Sequence, residues 1–116
     1  MRKSLIVLTI VLGSLAGCKS NPAPPTINNA KQVWLNIHKQ LGLDGDSKLV
    51  DIKKTDGQFA KINGVTVYTF FYEARERYLI QVGNRKPGDI RIIKSNYAFQ
   101  KTENGWEGPD GEHFKD

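Results

Sequence analysis

The chain has 116 residues, of which 39% are hydrophobic and 25% charged, with one cysteine and a formal charge of +5. That balance describes one small globular domain and excludes a disordered tail, an intramolecular disulfide and a cysteine-rich metal site. The excess of cations raises nucleic acid as a partner, so the place of that charge along the chain matters first.

Met1-Arg2-Lys3-Ser4 is a short basic start, and Leu5 to Leu12 is apolar except for Thr9 before the chain turns small at Gly13-Ser14. A helix needs about 20 apolar residues to span a bilayer, so this run is too short and reads as a secretory signal. Leu15-Ala16-Gly17-Cys18 follows at once. On these residues the start of the chain resembles that of bacterial lipoproteins, whose lipobox ends in the cysteine that becomes the first mature residue.

The resemblance implies a signal peptide over residues 1–17, cleavage between Gly17 and Cys18, a diacylglyceryl thioether on Cys18 and an acyl chain such as palmitate on its new amine. One chain holds a membrane only marginally and two hold it stably, so a processed Cys18 is a permanent anchor. Read without the resemblance, Cys18 is a free thiol closing an ordinary signal, or residues 1–17 form a core strand. Lys19 stands where an aspartate favours the inner membrane, which in a Gram-negative host points to the outer membrane facing the periplasm. Cleavage discards Arg2 and Lys3 and no acid, lowering +5 to +3.

Residues 18–26 are polar and rich in proline, a composition that favours extended chain and predicts a short stiff tether. Residues 27–116 are then a single small domain. Ile27, Ala30, Val33, Trp34, Ile37 and Leu41 recur at helical spacing on one face, with Thr26 as N-cap and Gly42-Leu43 as the stop.

Downstream, Asp44-Gly45, Asp56-Gly57, Asn63-Gly64, Asn104-Gly105 and Asp110-Gly111 punctuate the chain as turn dipeptides. Asn63-Gly64 between two apolar-alternating runs predicts a hairpin. The strands expected are 48–55, 58–62, 65–80 and 90–101, with a turn or short strand at Trp106. Along 65–80 the residues Tyr68, Phe70, Tyr72, Ala74, Tyr78 and Ile80 share the face that receives the helix. The shift of phase from Ile90 and Ile92 to Ile93, Tyr97 and Phe99 predicts a bulge near Lys94-Ser95.

The fold class is therefore α+β, one N-terminal helix packed on a twisted antiparallel sheet of about four strands. In element order residues 27 to about 107 resemble the cystatin-like and NTF2-like small domains, in which a curved sheet wraps a helix and its concavity holds a ligand or partner. That resemblance makes Tyr68, Tyr72, Tyr97 and Trp106 candidates for a contact surface at the mouth; their other reading is plain core.

Catalytic and metal chemistry finds little to stand on. His38 and His113 are the only histidines, fewer than a zinc site requires. Asp44-Gly45-Asp46-Ser47 lacks the further ligands of a calcium loop. Glu73 and Glu76 point to opposite faces of one strand, an arrangement for ion pairs with Arg91, Lys94 or Lys101 rather than for acid and base work. No nucleophile has an identifiable base, and no cofactor or metal is expected. The expectation is a membrane-anchored envelope lipoprotein, not an enzyme, whose domain binds an envelope protein or a small ligand and no nucleic acid. The alternatives are a structural accessory lipoprotein of a secretion, conjugation or exclusion system, and a small hydrolase.

Overall fold

A computed structural model describes residues 21–116; the signal, the Leu15-Ala16-Gly17-Cys18 tetrapeptide with its cleavage site, and Lys19 lie outside the described residues. Among the described residues no helix is long and apolar enough to cross a membrane.

Helix α1 (Ile27–Gln40) begins at Thr26, whose hydroxyl accepts from the Asn29 N–H while the Thr26 N–H donates to the Asn29 side chain. This reciprocal box satisfies two amide groups that a helix start leaves open. At the other end Gly42, at φ +73°, lets its own N–H reach the Lys39 carbonyl and the Leu43 N–H reach that of His38. Those two bonds are a Schellman stop. Ala30, Val33 and Trp34 are buried, with Ile27 and Ile37 packed beside them. Leu41, which shares their spacing, is instead the C-cap and lies exposed, because the chain turns off the helix there.

The sheet is an antiparallel meander of five strands in chain order: β1 (Ser47–Ile62), β2 (Val65–Tyr78), β3 (Ile90–Thr102), β4 (Gly105–Glu107) and β5 (His113–Lys115). The α+β class stands, with five strands rather than about four. Asn63 and Gly64 both take positive φ, 51° and 81°, so the expected hairpin joins β1 to β2 through a turn that matches strand twist.

Three expectations about the strands need correcting. The two strands 48–55 and 58–62 are one, and Asp56-Gly57 lies inside it. Gly57 is there for space: a Cβ at that position would sit 1.6 Å from the Tyr68 hydroxyl oxygen. The register of β3 on β2 runs unbroken from Ile90 opposite Arg77 to Gln100 opposite Val67, so there is no bulge at Lys94-Ser95. The irregularities fall in β1, which skips Val50 and Thr55. The phase change in β3 marks apolar residues on both faces of the sheet, not a kink. Finally, β2 ends at Tyr78, two residues early; beyond it the Leu79 N–H still bonds the Asp46 carbonyl, and the chain then turns back on itself from Val82 to Arg85.

The core lies between α1 and one face of β2 and β3. Phe70, Phe99 and Trp106 are its largest fully buried side chains, and Phe70 meets Phe99 edge to face at 6.4 Å. The segment before α1 is also fixed. Pro25 is buried, and the Trp106 indole N–H donates to the Ala23 carbonyl at 2.9 Å. The last residues of the proline-rich stretch are thus a strap on the domain rather than free tether.

Candidate functional site

The four aromatics named as a contact surface lie in the core: Tyr68, Tyr72, Tyr97 and Trp106 are 3, 6, 9 and 2% exposed. Tyr68 meets Phe59 edge to face, and Tyr72 packs against Tyr97 with ring centroids 4.6 Å apart. Burial pushes the Tyr97 phenol well above its usual pKa, and the adjacent Tyr72 hydroxyl adds to the effect. Rings this covered offer a partner almost no area, and this face is closed rather than a mouth.

The even positions of β2 that bury Tyr68 to Ala74 continue to Glu76, and this placement puts a carboxylate in the core. Glu76 is 4% exposed. Burying a charge requires partners, and α1 supplies them. The Trp34 indole N–H donates to Glu76 Oε2 at 2.7 Å, and His38 Nε2 stands 3.8 Å from the same oxygen.

One helical turn separates Trp34 from His38, so their rings stack at 3.7 Å, and His38 Nδ1 lies 2.9 Å from the Trp34 carbonyl. A carbonyl only accepts, so Nδ1 carries the hydrogen. The indole bond joins helix to sheet, with the His38 ring stacked on Trp34 beside it. Glu76 therefore does not join the cross-strand ion pairs expected of its cluster. The pair formed instead is Arg75 with Asp51, directly opposite on β1, and the guanidinium's hydrogen bonds hold the exposed Asp51 carboxyl below its usual range.

Trp34 and His38 also wall a pocket of about 390 Å³, closed by Leu35, Ser47, Lys48 and Leu79. Glu76 sits behind that wall. Among the described residues the His38 ring hydrogen-bonds its own helix backbone. The pocket is an apolar recess that Lys31, Lys48 and Asp44 also line. His113, in β5, pairs with the Thr102 hydroxyl at 2.7 Å, far along the sheet from His38. Among the described residues no group of three or more His, Cys, Asp or Glu could hold a metal ion.

Past the pocket, the β2–β3 connection and the start of β3 carry further exposed apolar side chains. Leu79, Ile80, Val82, Ile90 and Ile92 are 46, 46, 41, 42 and 60% exposed. The segment that presents them is well ordered. Val82 and Arg85 exchange both backbone hydrogen bonds, the Asp89 carboxylate accepts from the Lys86 N–H, and the Gly88 N–H returns to the Tyr78 carbonyl. Arg77, Arg85, Lys86 and Arg91 are exposed in or beside the same stretch of chain, with Arg85 over the Tyr78 ring.

Exposed large apolar side chains that fall near one end of a sheet, rather than singly over the surface, mark a candidate contact. The sequence carries a signal for this surface in Tyr78-Leu79-Ile80-Gln81-Val82, where apolar residues occupy both phases of the alternation. A strand buried on one face does not need that.

Compared with known proteins, the chain matches no family model, no curated protein and no solved structure at a significant level.

Proposed function

We propose that this chain is an envelope lipoprotein, anchored through lipid on Cys18, whose domain binds another envelope protein without catalysis. The anchor reading rests on the basic start, the short apolar run and the Leu15-Ala16-Gly17-Cys18 tetrapeptide. Lys19 favours the outer membrane in a Gram-negative host. The order of one helix and then an antiparallel meander supports a cystatin-like relationship, with two short strands closing the sheet.

One observation carries the binding reading: five large apolar side chains stand exposed between Leu79 and Ile92, on an ordered connection and the start of β3, with four exposed cations in or beside the same stretch of chain. A partner that fits has an apolar centre and an acidic rim. This surface replaces the buried tyrosines as the contact. The Trp34–His38–Glu76 group supports a structural role over hydrolysis, since its carboxylate is bound to an indole and its imidazole to a backbone carbonyl.

Two experiments test the reading. Labelled palmitate enters the wild type and not Cys18→Ser; label in the variant overturns the anchor. Photo-crosslinking residues at Ile80 and Ile92 in intact cells capture a discrete protein adduct that one at the exposed Lys53 does not. Silence at both apolar positions overturns the binding surface. A partner captured in fixed stoichiometry identifies an accessory part of a larger machine, whereas reversible capture identifies a binding module.

A further inference from the structure

The end of the molecule opposite the apolar patch is placed by covalent geometry. Cys18 precedes Asn21 by three residues, and an extended chain covers at most about 3.6 Å per residue, so their Cα atoms lie within about 11 Å of each other. Asn21 itself is set against the β1–β2 hairpin, in a recess formed with Phe59, Ala60, Lys61 and Thr66. The strap bond from Trp106 to Ala23 and the burial of Pro25 fasten the segment there, so it does not swing as a free linker. At the tip of that hairpin Ile62 is 56% exposed, beside the exposed Lys61.

We infer that the β1–β2 hairpin, with Ile62 at its tip, rests on the phospholipid surface that holds the Cys18 anchor. This rests on the lipoprotein reading above. A three-residue connection to a docked strap keeps the headgroup layer within the hairpin's reach. One isoleucine and one lysine bind a membrane weakly on their own, and the contact persists because the anchor raises the local lipid concentration around them. The orientation has a consequence for the apolar end. The 14 residues of β2 span about 45 Å at the usual rise per residue, so the patch around Ile80 and Ile92 is carried outward to where a partner in the aqueous space meets it.

The lipidated full-length protein, reconstituted into vesicles of phosphatidylethanolamine and phosphatidylglycerol, tests the orientation. A lipidated Cys18 has no free thiol, so Ile62→Cys and Ile92→Cys each offer a single site for an environment-sensitive maleimide dye. Both positions are exposed, and neither substitution disturbs the core. The expected result is several-fold stronger quenching by nitroxide-labelled lipid at position 62 than at 92, with a blue-shifted emission only at 62. Equal quenching, or stronger quenching at 92, overturns the inference while leaving the anchor intact. Stoichiometric dye labelling of the wild type means an unmodified Cys18, which overturns the lipoprotein reading and the orientation that depends on it.

Discussion

Replacing Trp34 by phenylalanine keeps an aromatic ring against β2 and deletes the indole N–H that serves Glu76. That N–H is 2.7 Å from a carboxylate that is 4% exposed. His38 Nε2, at 3.8 Å, is too distant to replace it. The loss combines a charge-assisted hydrogen bond with a stranded, desolvated oxygen, about 2–4 kcal/mol in total. Against the whole stability of a small domain, about 5–15 kcal/mol, such a change is readily measured.

Glu76→Gln retains an acceptor for the indole and costs less, about 1 kcal/mol. Adding Glu76→Leu to Trp34→Phe removes the stranded group, so the double variant is more stable than the two single losses predict. The expected coupling is about 2 kcal/mol. Urea unfolding followed by far-ultraviolet circular dichroism supplies all four corners of the cycle. A Trp34→Phe cost under about 0.5 kcal/mol, or additive single losses, would refute the idea that this bond joins helix to sheet.

Gly57→Ala drives a methyl group against the hydroxyl end of Tyr68, a buried ring that also packs on Phe59 and Trp106, and overpacking of this kind costs about 1–3 kcal/mol; the midpoint of urea unfolding reads it. Thr26→Ala removes the acceptor for the Asn29 N–H and lowers stability by about 1 kcal/mol, with most of it restored in Thr26→Ser. Tyr97 sets an alkaline limit. An unfolded tyrosine ionises near pH 10, whereas the folded phenol stays protonated well above it. Above that pH the unfolded state binds fewer protons, so stability falls as pH rises. In Tyr97→Phe the slope of unfolding free energy against pH flattens in this range; an unchanged slope contradicts the assignment.

The sequence by itself determined the local structure of this protein. Thr26, Gly42 and Asn63-Gly64 impose their caps and turn through backbone chemistry that acts over a few residues, and the alternation of β2 sorts its two faces whatever packs on them. The proposed lipid anchor rests in the same way on a contiguous tetrapeptide, Leu15-Ala16-Gly17-Cys18. What depends on long-range pairing was not legible. Asp56-Gly57 has the composition of a turn, and only the register of β1 on β2 shows the glycine to be room for Tyr68.

Tyr68, Tyr72, Tyr97 and Trp106 are amphipathic residues that suit a core or a surface equally; the closing of α1 over the sheet decided for the core. Glu76 shares the parity of its apolar neighbours, but its meaning required Trp34, 42 residues away, to arrive within hydrogen-bond distance. The exposed patch is likewise a product of tertiary structure. Solvent exposure belongs to no residue alone, and Ile90 and Ile92 face outward because β3 pairs with β2 in a register that turns Ile93, Tyr97 and Phe99 inward.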